Sequence, residues 1–245
     1  MIDVHVPHKS DHTWTDFFIH IGTIAVGLLI AIGLEQTVEY FHHRHQAAEL
    51  RENLHAESEQ ILSDTDRCIG SMQYRVTWLN ARIDQVKLAV WHHQPLPAAA
   101  PFSPPGCAAP DNPIWRTAKA SGLAFYLTKG EVTAYSEIEY VVSHELDRVK
   151  PFHEANSETN QFLAIFPSLP NGQPDLSFAS PDDLRKYLAL LTEHRETLSS
   201  LLFSLHLVRG ATRAVTAGET RLNAIYAAER DDLSADTLMH QFKHD

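Results

Sequence analysis

Two hydrophobic patterns of different kind follow one another near the start of the chain. From Phe17 to Leu34 the run FFIHIGTIAVGLLIAIGL holds eighteen residues with no formal charge. As a helix it would be about 27 Å long, close to the hydrocarbon thickness of a bilayer. From Leu50 onward the pattern becomes periodic, through Leu50, Leu54, Glu57, Ile61, Thr65, Cys68, Met72, Val76, Leu79, Ile83, Val86 and Val90. These positions make eleven steps across 40 residues, a spacing of 3.64. A strict coiled-coil seam repeats every ~3.5 residues, so this spacing predicts one face of a long helix in a nearly straight bundle. Gly70-Ser71 could kink it, but the stripe runs through without a phase shift. One helix is predicted from about Trp14 to His92.

The pattern then stops. Residues 95–113 carry seven prolines, which exclude regular helix and predict a surface loop at the bundle tip. Asn112 followed by Pro113 predicts the start of a short helix that Gly122 ends, with Trp115 buried on the bundle. Thr128 and Glu131 have capping-box spacing and start a helix predicted to reach about Phe166, kinked near Pro151. Pro167 to Pro174 reads as a turn. Ser180-Pro181-Asp182-Asp183 is a second helix start, with a cap, a proline at the first position and acids against the macrodipole. The last long helix is expected from Pro181 to about Glu229, with Leu184, Leu188, Leu191, Leu198, Leu202, Leu205, Val208, Val215 and Leu222 inward. A short helix is expected over 234–243.

The fold class expected is therefore all-α: an N-terminal transmembrane helix continuing into an antiparallel three-helix bundle of long helices. Its parts are a polar tail over 1–13, a transmembrane helix and interface over 14–41, and a soluble bundle over 42–245 with a Pro-rich loop at 94–113. Eleven residues of the apolar run are Phe, Ile, Leu or Val. They supply roughly −3 to −7 kcal/mol on the membrane-insertion scale, less the cost of His20 and three glycines. Residues 1–13 lack a basic region, and no small-residue cleavage site follows, so the run reads as an uncleaved anchor. Thr23, Gly27 and Ala31 form a small-residue stripe on one helix face, which would let two membrane helices approach closely as a homo-oligomer. No second span exists, which excludes signalling by paired membrane helices within one chain. Arg44 and Arg51 on one side balance Lys9 and the α-amino group on the other, so charge does not set the topology.

Composition narrows the function classes. Acidic residues outnumber basic ones by 31 to 20, for a net charge of −11, which argues against a nucleic-acid partner. Cys68 and Cys107 are too few for a disulfide framework and lack metal-ligand spacing. Base rates favour two separate thiols; a single bridge is open to them in an oxidising compartment, where it would close a loop of about 39 residues and contribute about 4 kcal/mol.

Candidate chemistry is thin. The sixteen histidines include His42, His43 and His45 beyond the apolar run, and His5, His8 and His12 before it. Imidazoles bind zinc, copper or nickel, yet no carboxylate or thiolate stands at motif spacing. Glu52 and His55 match the Glu-x-x-His step of di-iron bundles, but the step does not recur and lies off the Leu50/Leu54 stripe. His144-Glu145 begins like a zinc-protease helix, but Arg148 occupies the second histidine's place. Glu193-His194 and His153-Glu154 are adjacent pairs pointing to different faces. No phosphate loop or nucleophile turn is present, so neither catalysis nor a cofactor is expected.

The segment GLLIAIGLEQTVEYFHHRH, residues 27–45, resembles a group of uncharacterised bacterial single-pass membrane proteins. Their N-terminal span ends GLLIALGLE and is followed by a short helical stretch and HHRH. Trp115 to Gly122, W-x-T-A-x-x-S-G, resembles a second segment of that group. The resemblance implies a bacterial inner-membrane location with no assigned activity and carries over no site residues. Two functional expectations follow. The first is a non-catalytic, membrane-anchored scaffold that docks onto a protein partner; the second is a metal-, ligand- or pH-responsive sensor domain. An enzyme would need a polar pocket with convergent ionisable groups inside the bundle.

Overall fold

The computed structural model describes residues 14–235. Within them are five α-helices: α1 (Trp14–His92), α2 (Pro113–Ser121), α3 (Lys129–Leu163), α4 (Pro181–Thr216) and α5 (Leu222–Ala235). The expected polar tail, His5, His8 and His12, and most of the expected 234–243 helix lie outside the described residues. The chain divides between Glu49 and Leu50 into two units. In the first unit, every described residue from Trp14 to His42 is exposed. This part of α1 contains a window of mean hydropathy 2.3, long and apolar enough to cross a membrane. None of that window is buried in protein, unlike the core helix of a soluble domain.

The second unit is built on the predicted stripe. Each stripe position from Leu50 to Val86 is buried and Val90 is half-buried. α1 ends where His93 takes a positive φ of 51°. The predicted capping box at Thr128 forms, and the expected Ser180 cap is completed into a second box by Asp183. Glu131 N–H donates to Thr128 Oγ1 at 3.3 Å while Thr128 N–H donates to Glu131 Oε2 at 2.7 Å. Ser180 and Asp183 make the same exchange. Gly122 adopts φ 80° and ends α2. Pro151 lies inside α3, which the helix carries through to Leu163.

Four expectations are corrected. The Pro-rich segment is not a tip loop but a strap that runs back along α1. Arg82 donates to Pro97 O at 2.8 Å, Trp78 Nε1 to Ala100 O at 3.0 Å, and Ser71 Oγ to Pro105 O at 2.6 Å. Cys68 and Cys107 are joined by a disulfide, with Cα atoms 5.0 Å apart, so they are not separate thiols. As the strap advances from Pro97 to Cys107, its contacts retreat along α1 from Arg82 to Cys68, about 21 Å of helix.

That return changes the bundle. The start of α3 lies beside the Leu50 end of α1, where Arg51 Nε donates to Glu131 Oε1 at 2.6 Å. Farther along, Ile61 packs with Ile138 and Val141, and Met72 lies in one core with Phe152 and Phe162. α3 therefore runs in the same direction as α1. α4 runs against both: Phe162 stacks on Tyr187 at 5.9 Å near its start, and Arg209 reaches Asp66 near its end. The expected antiparallel succession fails because a long strap, not a short turn, follows α1.

The last helix is also divided. α4 stops at Thr216, Gly218 adopts φ 88°, and α5 folds back on α4. Leu222 is half-buried and Ile225 fully buried. A Cβ on Gly210 would stand 2.6 Å from the Glu229 Cα, so only glycine admits this close approach. His206 Nδ1 lies 2.8 Å from Asp232 Oδ2, and Arg209 Nε donates to the same carboxylate at 2.9 Å. Burial works to raise the Asp232 pKa, but the His206 and Arg209 hydrogen bonds outweigh it and hold the group below its ordinary value.

Candidate functional site: a strapped cavity

A cavity of about 270 Å³ lies where α1, α3 and α4 meet the strap. α1 contributes Cys68, Ser71, Met72 and Arg75, and the strap closes one wall with Pro105, Gly106 and Cys107. α3 supplies Glu145, Val149, Phe152 and His153; α4 supplies Leu201 and Leu205. The disulfide is thus part of the wall and holds the strap in place over the cavity.

Local sequence explains why Glu145 is inside. Ile138, Val141, Val142, Glu145, Val149 and Phe152 follow helical spacing, so the carboxylate occupies a core position of α3. It is 3% exposed, and its Oε2 has no hydrogen-bond partner among the described residues. Burial alone raises its pKa to about 7. An ionised carboxylate in such a setting is costly unless a cation or donor meets it.

Arg75 is the cation on the opposite helix. Its guanidinium lies 5.4 Å from the centre of the Phe102 ring on the strap and 5.8 Å from that of Phe152. Its Nε has no hydrogen-bond partner among the described residues, and burial lowers its pKa. Arg75 also lines a second cavity of about 70 Å³, with His194 and Tyr187. His194 is buried; burial, then the charge of Arg75, depress its pKa to about 4 and keep it neutral.

The residues singled out by sequence fall elsewhere. His42 and His45 are exposed on α1, and His43 is half-buried, with Nε2 3.9 Å from Glu39. Among the described residues no group of three or more His, Cys, Asp or Glu side chains is placed to hold a metal, so these histidines are not gathered into a site. Glu52 and His55 are exposed, as their position off the stripe implied. Thr23, Gly27 and Ala31 are exposed on α1; Thr23 Oγ1 donates to Ile19 O at 2.9 Å, and a Cβ on Gly27 would meet nothing within 4 Å. Glu145 was legible as an acid on an apolar stripe. Arg75 carried no such signal, because it stands beside the stripe residue Val76.

No protein-family model, curated protein or solved structure matches the chain. The reading of the cavity rests on its own geometry.

Proposed function

We propose that the protein is a non-catalytic, membrane-anchored receptor domain that binds a small molecule between α1, α3, α4 and the strap. One observation carries this reading: a cavity of about 270 Å³ lined by the buried Glu145, whose Oε2 has no hydrogen-bond partner among the described residues. Binding pockets are mostly apolar with a few placed polar groups, and this one combines Met72, Val149, Phe152, Leu201 and Leu205 with Glu145 and Arg75. The volume suits a ligand smaller than most drugs. Of the hydroxyl and thiol groups in the lining, Ser71 Oγ donates to Pro105 O and both cysteines are in the disulfide, which supports a binding role.

The exposed apolar face of residues 17–34 supports a single-pass anchor. A disulfide persists in oxidising compartments, and the Cys68–Cys107 bridge supports a bundle on the non-cytoplasmic side of a bacterial inner membrane. Thermal melting of the full chain in detergent against a panel of small metabolites tests the binding reading. A compound that raises the Tm of the parent, but not of a Leu201→Trp variant with the cavity filled, supports it. A panel without such a compound counts against it.

A second reading, a homo-oligomeric scaffold, is favoured by the exposed Thr23, Gly27 and Ala31 stripe. Crosslinking in detergent tests it, and a strict monomer unaffected by Gly27→Leu would remove it.

A further inference from the structure

We propose that the ligand of the strapped cavity is a small amphipathic amine, its ammonium group held by the Glu145 carboxylate and its apolar body packed against Met72, Val149, Phe152 and Leu201. This deepens the receptor reading and rests on it.

Glu145 supplies one side of an ion pair and lacks the other. It is 3% exposed and lines the cavity, with Oε2 unpartnered among the described residues. The charged or titratable groups around the cavity are Arg75 from α1 and Glu145 and His153 from α3; α4 and the strap contribute none. Arg75 is engaged with the Phe102 and Phe152 rings, and no ion pair joins Arg75 or His153 to Glu145 among the described residues.

The missing partner is a donor that arrives with the ligand. A metal ion fits poorly, since among the described residues no group of three or more His, Cys, Asp or Glu side chains gathers to complete its coordination. An ammonium group needs only charge and a hydrogen-bond acceptor, and a charge-assisted bond to a buried carboxylate is among the stronger kinds. The surrounding apolar side chains then match a hydrocarbon or aromatic body, not a second charged group. In the unliganded cavity Glu145 holds a proton through much of the range below pH 7. Capture of an ammonium ion would favour its ionised form and release that proton to solvent.

The test is calorimetric titration of the full chain in detergent at pH 6 and pH 7, with phenethylamine and its neutral counterpart phenethyl alcohol as probes. The same titrations on Glu145→Gln control for partition into the micelle. The expected result is amine binding at least about tenfold tighter than alcohol binding in the parent, with the difference lost in the variant. Equal binding of amine and alcohol overturns the amine assignment and leaves the receptor reading standing. An amine preference that survives Glu145→Gln overturns it too. If neither probe binds the parent, the amine assignment fails, and the receptor reading is decided by the metabolite panel. Should Glu145→Gln not fold, the parent decides alone: titrations in buffers of different ionisation enthalpy must show proton release with phenethylamine at pH 6, and its absence overturns the proposal.

Discussion

The Glu57 carboxylate caps the helix that buries Trp115. Its Oε1 accepts the Ile114 N–H at 2.5 Å and its Oε2 the Trp115 N–H at 3.2 Å. Asn112, at the expected cap position, makes no side-chain cap bond. A residue from α1 thus satisfies donors that a local cap would ordinarily take, and ties α2 to the long helix. Burial raises the Glu57 pKa, against the two backbone hydrogen bonds that lower it.

Glu57→Ala is therefore expected to destabilise the bundle by about 1–3 kcal/mol, because the buried Trp115 N–H and the part-buried Ile114 N–H lose their acceptor. Asn112→Ala should cost less. Chemical denaturation of both variants checks the order, and the reverse ranking would contradict the Glu57 cap.

Cys68→Ser with Cys107→Ser should reduce stability by up to about 4 kcal/mol on the chain-entropy account, and reductant should lower the Tm of the parent but not of the double variant. Because the strap walls the cavity, the double variant should also show faster amide exchange over 95–110 than over α4. Unchanged exchange would mean that the strap's hydrogen bonds to Ser71, Trp78 and Arg82 hold it without the bridge.

Two buried carboxylates should shape the pH profile. Glu145 is raised to about 7 by burial, and Glu229 to about 7 by burial and then by the charge of Glu137. Each binds more protons in the folded than in the unfolded state between about pH 4.5 and 7. The stability each contributes is complete below that window and lost as pH rises through it. His194, depressed to about 4, acts in the opposite sense between about 4 and 6.5, so variants must be compared with the parent at each pH. The Tm of the parent minus that of Glu145→Gln, or of Glu229→Gln, should fall from pH 5 to pH 8. A flat difference for either variant would show that its carboxyl is not protonated in the folded state.

Gly210→Ala reverses an ordinary rule. In an exposed helix interior this change stabilises by roughly 1 kcal/mol, but here the new methyl would meet the α5 backbone at 2.6 Å from Glu229 Cα. A loss of about 1–3 kcal/mol is expected. Proteolysis near 216–221, where α4 gives way to α5, should quicken in the same variant; a stabilised protein would argue against the tight α4–α5 crossing.

What the sequence determined by itself was whatever depends on neighbours along the chain. The spacing from Leu50 to Val90 placed the buried face of α1, and Thr128/Glu131, Ser180/Asp183 and Gly122 marked helix ends, because caps and amphipathic faces are set within a few residues. The break at Gly218 was not expected, because the apolar pattern continues through Val215 to Leu222 as if in one helix. Tertiary structure alone decided that α3 runs with α1, since a proline-rich segment is extended whether it leaves the bundle or lies back along it. It also decided the pairing of Cys68 with Cys107 and the capping of α2 by Glu57, contacts that depend on where the strap lies. Glu145 falls between the two cases. Its place on the apolar stripe of α3 was written in the chain, but its missing partner became visible only when α1, α4 and the strap enclosed it, because solvent exclusion is a property of the assembled helices and not of any one of them.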